Sequence, residues 1–278
     1  MTTTAPYSPP RESLPDYAPL LAARHEAHRA ELAAIIDELP LDRGDRVLDV
    51  PCGDGFYLPY LAERVGEAGD VTAADIAPAY LRRARRVSNG AASTVRHVAA
   101  DAFALPFDSA TFDLVWCAHS LISLPDPIAA LREMKRVTRA GGTIAVLEND
   151  GLHDLLLPWP ADLELAVHDA LRAAMARRLG SAGKMYAARH LQELFHAAGL
   201  ETFERRTSAI DRTAPLPDAD REFLRHYFDW LARQVDRILD ERQRVRLHAL
   251  IDPSSPAYLP DSNEFEMTSL DVVMLGRA

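Results

Sequence analysis

The chain has 278 residues, 48% hydrophobic and 26% charged, a globular composition outside the disordered, collagen-like and disulfide-scaffold classes. Its formal charge of −10 at pH 7 opposes the cationic surface that binding to a phosphate backbone needs. With only Cys52 and Cys117, no apolar run near the roughly 18 residues of a membrane span and no basic or apolar leader in Met1-Thr2-Thr3-Thr4-Ala5-Pro6, a cytoplasmic protein without nucleic-acid or membrane partners is expected.

Pro6, Pro9, Pro10 and Pro15 predict a mobile arm over residues 1–16. The spacing of Leu20, Leu21, Leu32, Ile35, Ile36 and Leu39 predicts an amphipathic helix over 17–39. The rhythm then changes to short apolar runs alternating with helical stretches. Strands are expected at 46–50, 71–75, 95–99, 112–117 and 143–148, with helices at 56–65, 78–87 and 127–138 between them. That alternation implies a parallel sheet with crossover helices, which binds ligands beyond the carboxyl ends of its strands. Asp49, Asp75, Asp101 and the segment around Ala118 stand at those ends. Further on, a helix is expected at 163–179, another at 190–198, a strand at 200–210, a long helix at 218–251 and a closing strand at 265–275.

The segment 47–55 follows a strand and opens a helix, and Asp75 falls about 20 residues past Gly55, the spacing at which a carboxylate meets ribose hydroxyls. A dinucleotide site wants a third glycine where Leu58 stands, and Asp49 would oppose a pyrophosphate. An adenosyl ligand carrying ammonium and sulfonium charge removes both objections, because Asp49 then offsets positive charge. S-adenosylmethionine is that ligand.

Val47-Leu48-Asp49-Val50-Pro51-Cys52-Gly53-Asp54-Gly55 resembles the first motif of the class I S-adenosylmethionine-dependent methyltransferases. Asp75-Ile76-Ala77-Pro78 is similar to the second motif, and Asp101-Ala102 with Leu105-Pro106-Phe107 to the third. Phe112-Asp113-Leu114-Val115 through Leu124-Pro125-Asp126-Pro127 resembles the fourth strand and its loop, and Arg139-Ala140-Gly141-Gly142-Thr143 the turn into the fifth. The resemblance implies a Rossmann-like α/β fold with a seven-stranded, mostly parallel sheet, helices on both faces and a reversed last strand. It implies a cofactor site at Asp49, Pro51, Cys52, Gly53, Gly55, Asp75, Ile76, Asp101, Ala102 and Ala118, with the acid of the second motif on the ribose and that of the third on the adenine amine. Three departures stand out: Pro51 replaces a loop glycine, Cys117-Ala118 a Ser-Asn pair, and Ile122-Ser123 a His-His pair.

Several of these residues also have plain structural readings. Asp75 can cap the helix at Pro78, Asp113 sits at the strand end away from the ligand, and Arg82, Arg83, Arg85 and Arg86 read as a solvated helix face. The two cysteines lack histidines at ligand spacing, so no metal is expected. His119, just past a strand that points at the cofactor, is the candidate base; against this stands a histidine that only packs. His153, Trp159 and Tyr186 are candidate acceptor contacts, and Trp159 can equally be core. The expected organisation is one domain over 17–278, with an N-terminal helix (17–39), a core (45–150) and cap insertions at 151–187 and 212–262. The expected activity is methyl transfer to a small, secondary-metabolite-like acceptor. The alternatives are an RNA or protein methyltransferase and a catalytically silent cofactor-binding partner subunit.

Overall fold

A computed structural model of the chain describes residues 12–150, 155–180 and 186–278. Residues 1–11, most of the predicted arm, and His153 lie outside the described residues. At the sheet centre, β1 (Arg46–Asp49) lies between β2 (Asp70–Asp75) and β4 (Phe112–Ala118), parallel to both. β3 (Thr94–Ala99) extends the sheet beyond β2, and β5 (Thr138–Glu148) extends it beyond β4, again in parallel. β8 (Glu266–Arg277) runs antiparallel to β5 and carries β7 (Glu201–Thr213) on its other edge. The two-residue β6 (Leu155–Leu156) pairs with β8 at Ser269 and Thr268, making eight strands among the described residues where seven were expected.

Alternation along the central strands explains the layers, because both faces of a parallel sheet are covered and both must be apolar. Val47, Leu114, Trp116 and Ala145 pack with α2 (Arg29–Asp37) and α3 (Leu58–Val65) on one face. Leu48, Val115, Cys117, Ile144 and Val146 pack with α5 (Pro127–Val137) and α7 (Ala187–Ala197) on the other. α4 (Pro78–Val87) opens on a proline at its first position, where the missing N–H has no intrahelical partner to lose. A third core joins α1 (Ala18–Ala27), α6 (Ala161–Leu179), α8 (Asp218–Val235) and α9 (Glu241–Ile251) above the carboxyl ends of the strands.

Two predicted helices are broken. The helix over 17–39 divides at His28, whose backbone leaves helical geometry (φ −109°, ψ 21°) while its ring packs edge-on against Phe223. The helix over 218–251 divides because Asp240 starts a new one: its side chain accepts the Gln243 N–H, and Gln243 accepts the Asp240 N–H in return. This reciprocal cap is a strong local start signal. Among the described residues no helix is long and apolar enough to cross a membrane.

Candidate active site

The ends of β1, β2 and β4 open onto a cavity of about 490 Å³. Asp49, Pro51, Cys52, Gly53, Asp75, Ile76, Asp101, Ala102, Ala118 and His119 all line it. Gly55 does not: a Cβ there would meet the Ala84 Cα at 2.7 Å, so this glycine lets α3 approach α4. Gly53, at φ +51°, has open space where a Cβ would stand and donates its N–H to Asp75 Oδ2 at 3.0 Å. Asp75 Oδ1 accepts the Ala77 N–H at 2.8 Å in a local turn, but the N-cap of α4 is Ala77 and carries no side-chain cap, so Asp75 does not cap that helix. Asp101 Oδ1 accepts the Phe103 N–H at 3.0 Å, turning the chain after β3.

The cavity wall is acidic where the strand ends meet. Burial pushes Asp75 up to about 6. Asp49 is raised well above the carboxylate range by its burial and then by the nearby Asp75 and Asp54, and its Oδ2 has no partner among the described residues. Buried carboxylates crowded together favour a ligand that carries positive charge and hydrogen-bond donors.

The loop after β4 is held from below. Glu148 at the end of β5 accepts the Leu121 N–H at 2.6 Å, and burial pushes its carboxyl up to about 7. His119 sits in left-handed backbone (φ +47°), a conformation costing a non-glycine residue on the order of 1–3 kcal/mol and concentrated at functional sites. Its N–H donates to Leu147 O at 2.8 Å, and its ring meets Asp271 Oδ1 of β8 at 3.2 Å through Nε2. Arg24 of α1 donates to the same oxygen at 2.7 Å.

The helical region expected over 17–39 reaches the cavity, whereas the predicted cap at 151–187 contributes little to its lining among the described residues. Tyr17, Leu21 and His25 bring α1 and its approach over the cavity, with Tyr57 and Tyr80 at its sides. Of the predicted cap at 151–187, Arg178 lines the cavity; Trp159 and Tyr186 do not. Trp159 packs edge-on against Phe228 at 6.1 Å within the third core, which corrects the expectation that it touches the acceptor. Tyr186 lies against the same core with Arg189 over its ring at 4.6 Å. Asp113 accepts the Arg46 N–H and pairs with Arg139 at the far end of the strands, away from the cavity. Tyr17, Leu21 and His25 were not singled out individually, because the amphipathic pattern of α1 explains its apolar side without reference to a ligand.

Residues 48–146 match the family described as "Methyltransferase domain". Over that stretch the chain is similar to methyltransferase domains. Among relatives of this domain is the ubiquinone/menaquinone biosynthesis C-methyltransferase UbiE of Idiomarina loihiensis, 40% identical over 123 residues, 44% of this chain and 49% of that protein. The chain thus spans about half the length of the curated relatives it matches. A SAM-dependent methyltransferase from Aquifex aeolicus shares the fold at 22% identity and a TM-score of 0.50, covering 66% of this chain and 88% of that one. The YcgJ protein of Bacillus subtilis does so at 17% identity and a TM-score of 0.57, covering 90% and 98%. The domain fits the cofactor of its family: the unpartnered Asp49 Oδ2 and the open flank of Gly53 leave room and charge for a cationic adenosyl group.

Proposed function

We propose that this protein transfers a methyl group from S-adenosylmethionine to a small organic acceptor held between the strand ends and α1. One observation carries this reading: a single cavity joins Asp49, Asp75 and Asp101 to a roof of His25, Tyr57 and His119. On this reading the remaining lone pairs of Asp75 take the ribose hydroxyls, and Asp101 takes the adenine amine, flanked by Ile76 and Ala102. Asp49 faces the cationic end, close to the main chain of Pro51, Cys52 and Gly53. The bound cofactor supplies an electrophilic methyl group. The protein supplies alignment and exclusion of water, the largest contributions available to a transfer between two held reactants. His119 is the group placed to take a proton where the acceptor must lose one.

A small acceptor is favoured because Tyr17, Leu21 and His25 of α1 and its approach line the same cavity as the strand-end acids. The net charge of −10 also disfavours RNA. The named activity of the UbiE relative makes reduced quinones the first acceptors to try. Calorimetry with S-adenosylhomocysteine and with NAD tests the cofactor, and labelled methyl transfer to a panel of quinols, phenols and amines tests the reaction. Tight NAD binding with none to S-adenosylhomocysteine would overturn the reading. Label in RNA or protein but in no small molecule would move the acceptor to the macromolecular class.

A further inference from the structure

If His119 is the proposed base, the identity of its accepting nitrogen decides what it can do, and Asp271 bears on that. Asp271 stands on β8, 152 residues from His119 in sequence, with its side chain wholly buried. Its Oδ1 is shared by Arg24 Nη2 at 2.7 Å and His119 Nε2 at 3.2 Å. Burial works against the charge on Asp271, but Arg24 and His119 outweigh it and hold the carboxyl well below its usual range. An ionised carboxylate has no proton to give. The hydrogen in the Asp271–His119 contact therefore belongs to Nε2.

A neutral imidazole has one ring hydrogen. Burial pushes the His119 imidazole down, so the neutral form is the resting one. With that hydrogen on Nε2, Nδ1 keeps a lone pair, and Nδ1 has no partner among the described residues. We infer that Asp271 is a positioning residue that fixes His119 as the Nε2–H tautomer, which leaves Nδ1 as the ring nitrogen with a lone pair to accept the proton of a hydroxylated acceptor. A phenol or enol has that chemistry. Its O–H bond breaks, the proton moves to Nδ1, and the electron pair stays on oxygen. The resulting imidazolium is balanced by the Asp271 carboxylate at Nε2.

Arg24 ties this pair to the roof, because α1 reaches Asp271 through the same oxygen that orients the imidazole. The other ionisable groups near the ring are His25 of α1 and His28 at the α1–α2 junction, whose burial pushes it down to about 3 and keeps it neutral. Neither competes for Nε2.

The inference rests on the proposed role of His119, and its test does not need the acceptor. Long-range nitrogen–proton NMR of the full-length ¹⁵N-labelled protein, with the His119 signals identified by their loss in His119→Gln, reads the tautomer directly. The wild type is expected to show a protonated Nε2 and an unprotonated Nδ1. The double variant Arg24→Met with Asp271→Leu replaces the buried ion pair by apolar side chains, a change that proteins often tolerate. It should show both tautomers in exchange. Should that variant fail to fold, Asp271→Asn keeps the accepting oxygen but removes the charge, and the His119 midpoint should fall by about one pH unit or more. A wild-type Nδ1–H tautomer would overturn the inference, as would an unchanged tautomer in the double variant or an unchanged midpoint in Asp271→Asn. These outcomes are separate from the failure of methyl transfer, which the labelling assay reads.

Discussion

Asp75 grips the turn that it faces across the cavity: its Oδ2 accepts the Gly53 N–H at 3.0 Å, and its Oδ1 accepts the Ala77 N–H at 2.8 Å. A carboxylate has about four lone-pair sites, so capacity remains for a ligand. Asp75→Ala should therefore weaken S-adenosylhomocysteine binding by about 1–3 kcal/mol, the usual cost of leaving polar groups unpaired. Calorimetry measures this against a melting curve. An unchanged affinity beside a lowered melting point would reduce Asp75 to a brace for the glycine turn.

The same carboxylates give cofactor binding a pH dependence of definite sign. Burial raises Asp75 to about 6 and Asp49 also lies above its usual range in the ligand-free protein. A cationic ligand favours their ionised forms, so binding drives off protons near pH 6. Affinity for S-adenosylmethionine should fall as pH drops from 7 through about 6. Titration in buffers of different ionisation enthalpy counts the protons released. Stability of the ligand-free protein responds in the opposite sense: the contribution of a raised carboxyl is present below its unfolded value and lost as pH rises through about 6. Proton uptake on binding would contradict the cationic-ligand account.

The two loop glycines should behave differently. At Gly53 a methyl group meets open space, so Gly53→Ala pays only for its positive φ, on the order of 1 kcal/mol. At Gly55, with φ +83°, a Cβ would meet the Ala84 Cα at 2.7 Å and the Leu58 Cδ1 at 2.9 Å. Gly55→Ala must push α3 away from α4 and should cost more, about 2–4 kcal/mol in the range of overpacked cores with added backbone strain. Chemical denaturation of both variants gives the ranking, and equal losses would show that the interface has slack.

Trp159 anchors the helical third core against Phe228. Trp159→Ala should lower stability by about 2–3 kcal/mol, below the full cost of truncating a wholly buried aromatic because the indole is only partly covered. Affinity for S-adenosylhomocysteine should stay at the wild-type level, since the residue is not in the cavity wall. A shifted affinity with an unchanged melting point would return Trp159 to the ligand site.

The cofactor half of the site was legible because its signals are local. A strand end, a glycine turn and an acid at a fixed distance lie within a few residues of one another, and Asp49, Asp75 and Asp101 meet at one cavity as their spacing implied. The acceptor half is assembled from distant segments. Arg24, His119 and Asp271 converge only when β8 inserts beside β5 and α1 folds back over the strand ends. Asp271 in particular sits within the apolar run of a strand and makes no motif with its neighbours. The breaks at His28 and before Asp240 had different origins. Asp240 and Gln243 form a cap readable in the sequence, whereas the turn at His28 follows from packing on Phe223, which no local pattern reports.

His119 carries the strongest prediction about the reaction. Removing a positioned base typically lowers a rate by about 10²–10⁴-fold. His119→Ala should lose turnover on that scale with the acceptor that the labelling screen identifies, if that acceptor is a hydroxyl or an acidic carbon. Left-handed backbone at this position (φ +47°) suits Asn better than Ala, so His119→Asn separates the loss of the imidazole from loss of loop geometry. Both variants should lose activity together while keeping S-adenosylhomocysteine affinity. Full activity in both would mean that alignment and desolvation carry the reaction and that an already neutral amine is the acceptor. Affinity that falls in step with turnover in His119→Ala but recovers in His119→Asn would make His119 a support of the β4 loop. The pairing of His119 with Asp271, across two strands that reach the site from opposite directions, favours loss of turnover in both, because a merely supporting side chain needs no buried carboxylate at its ring.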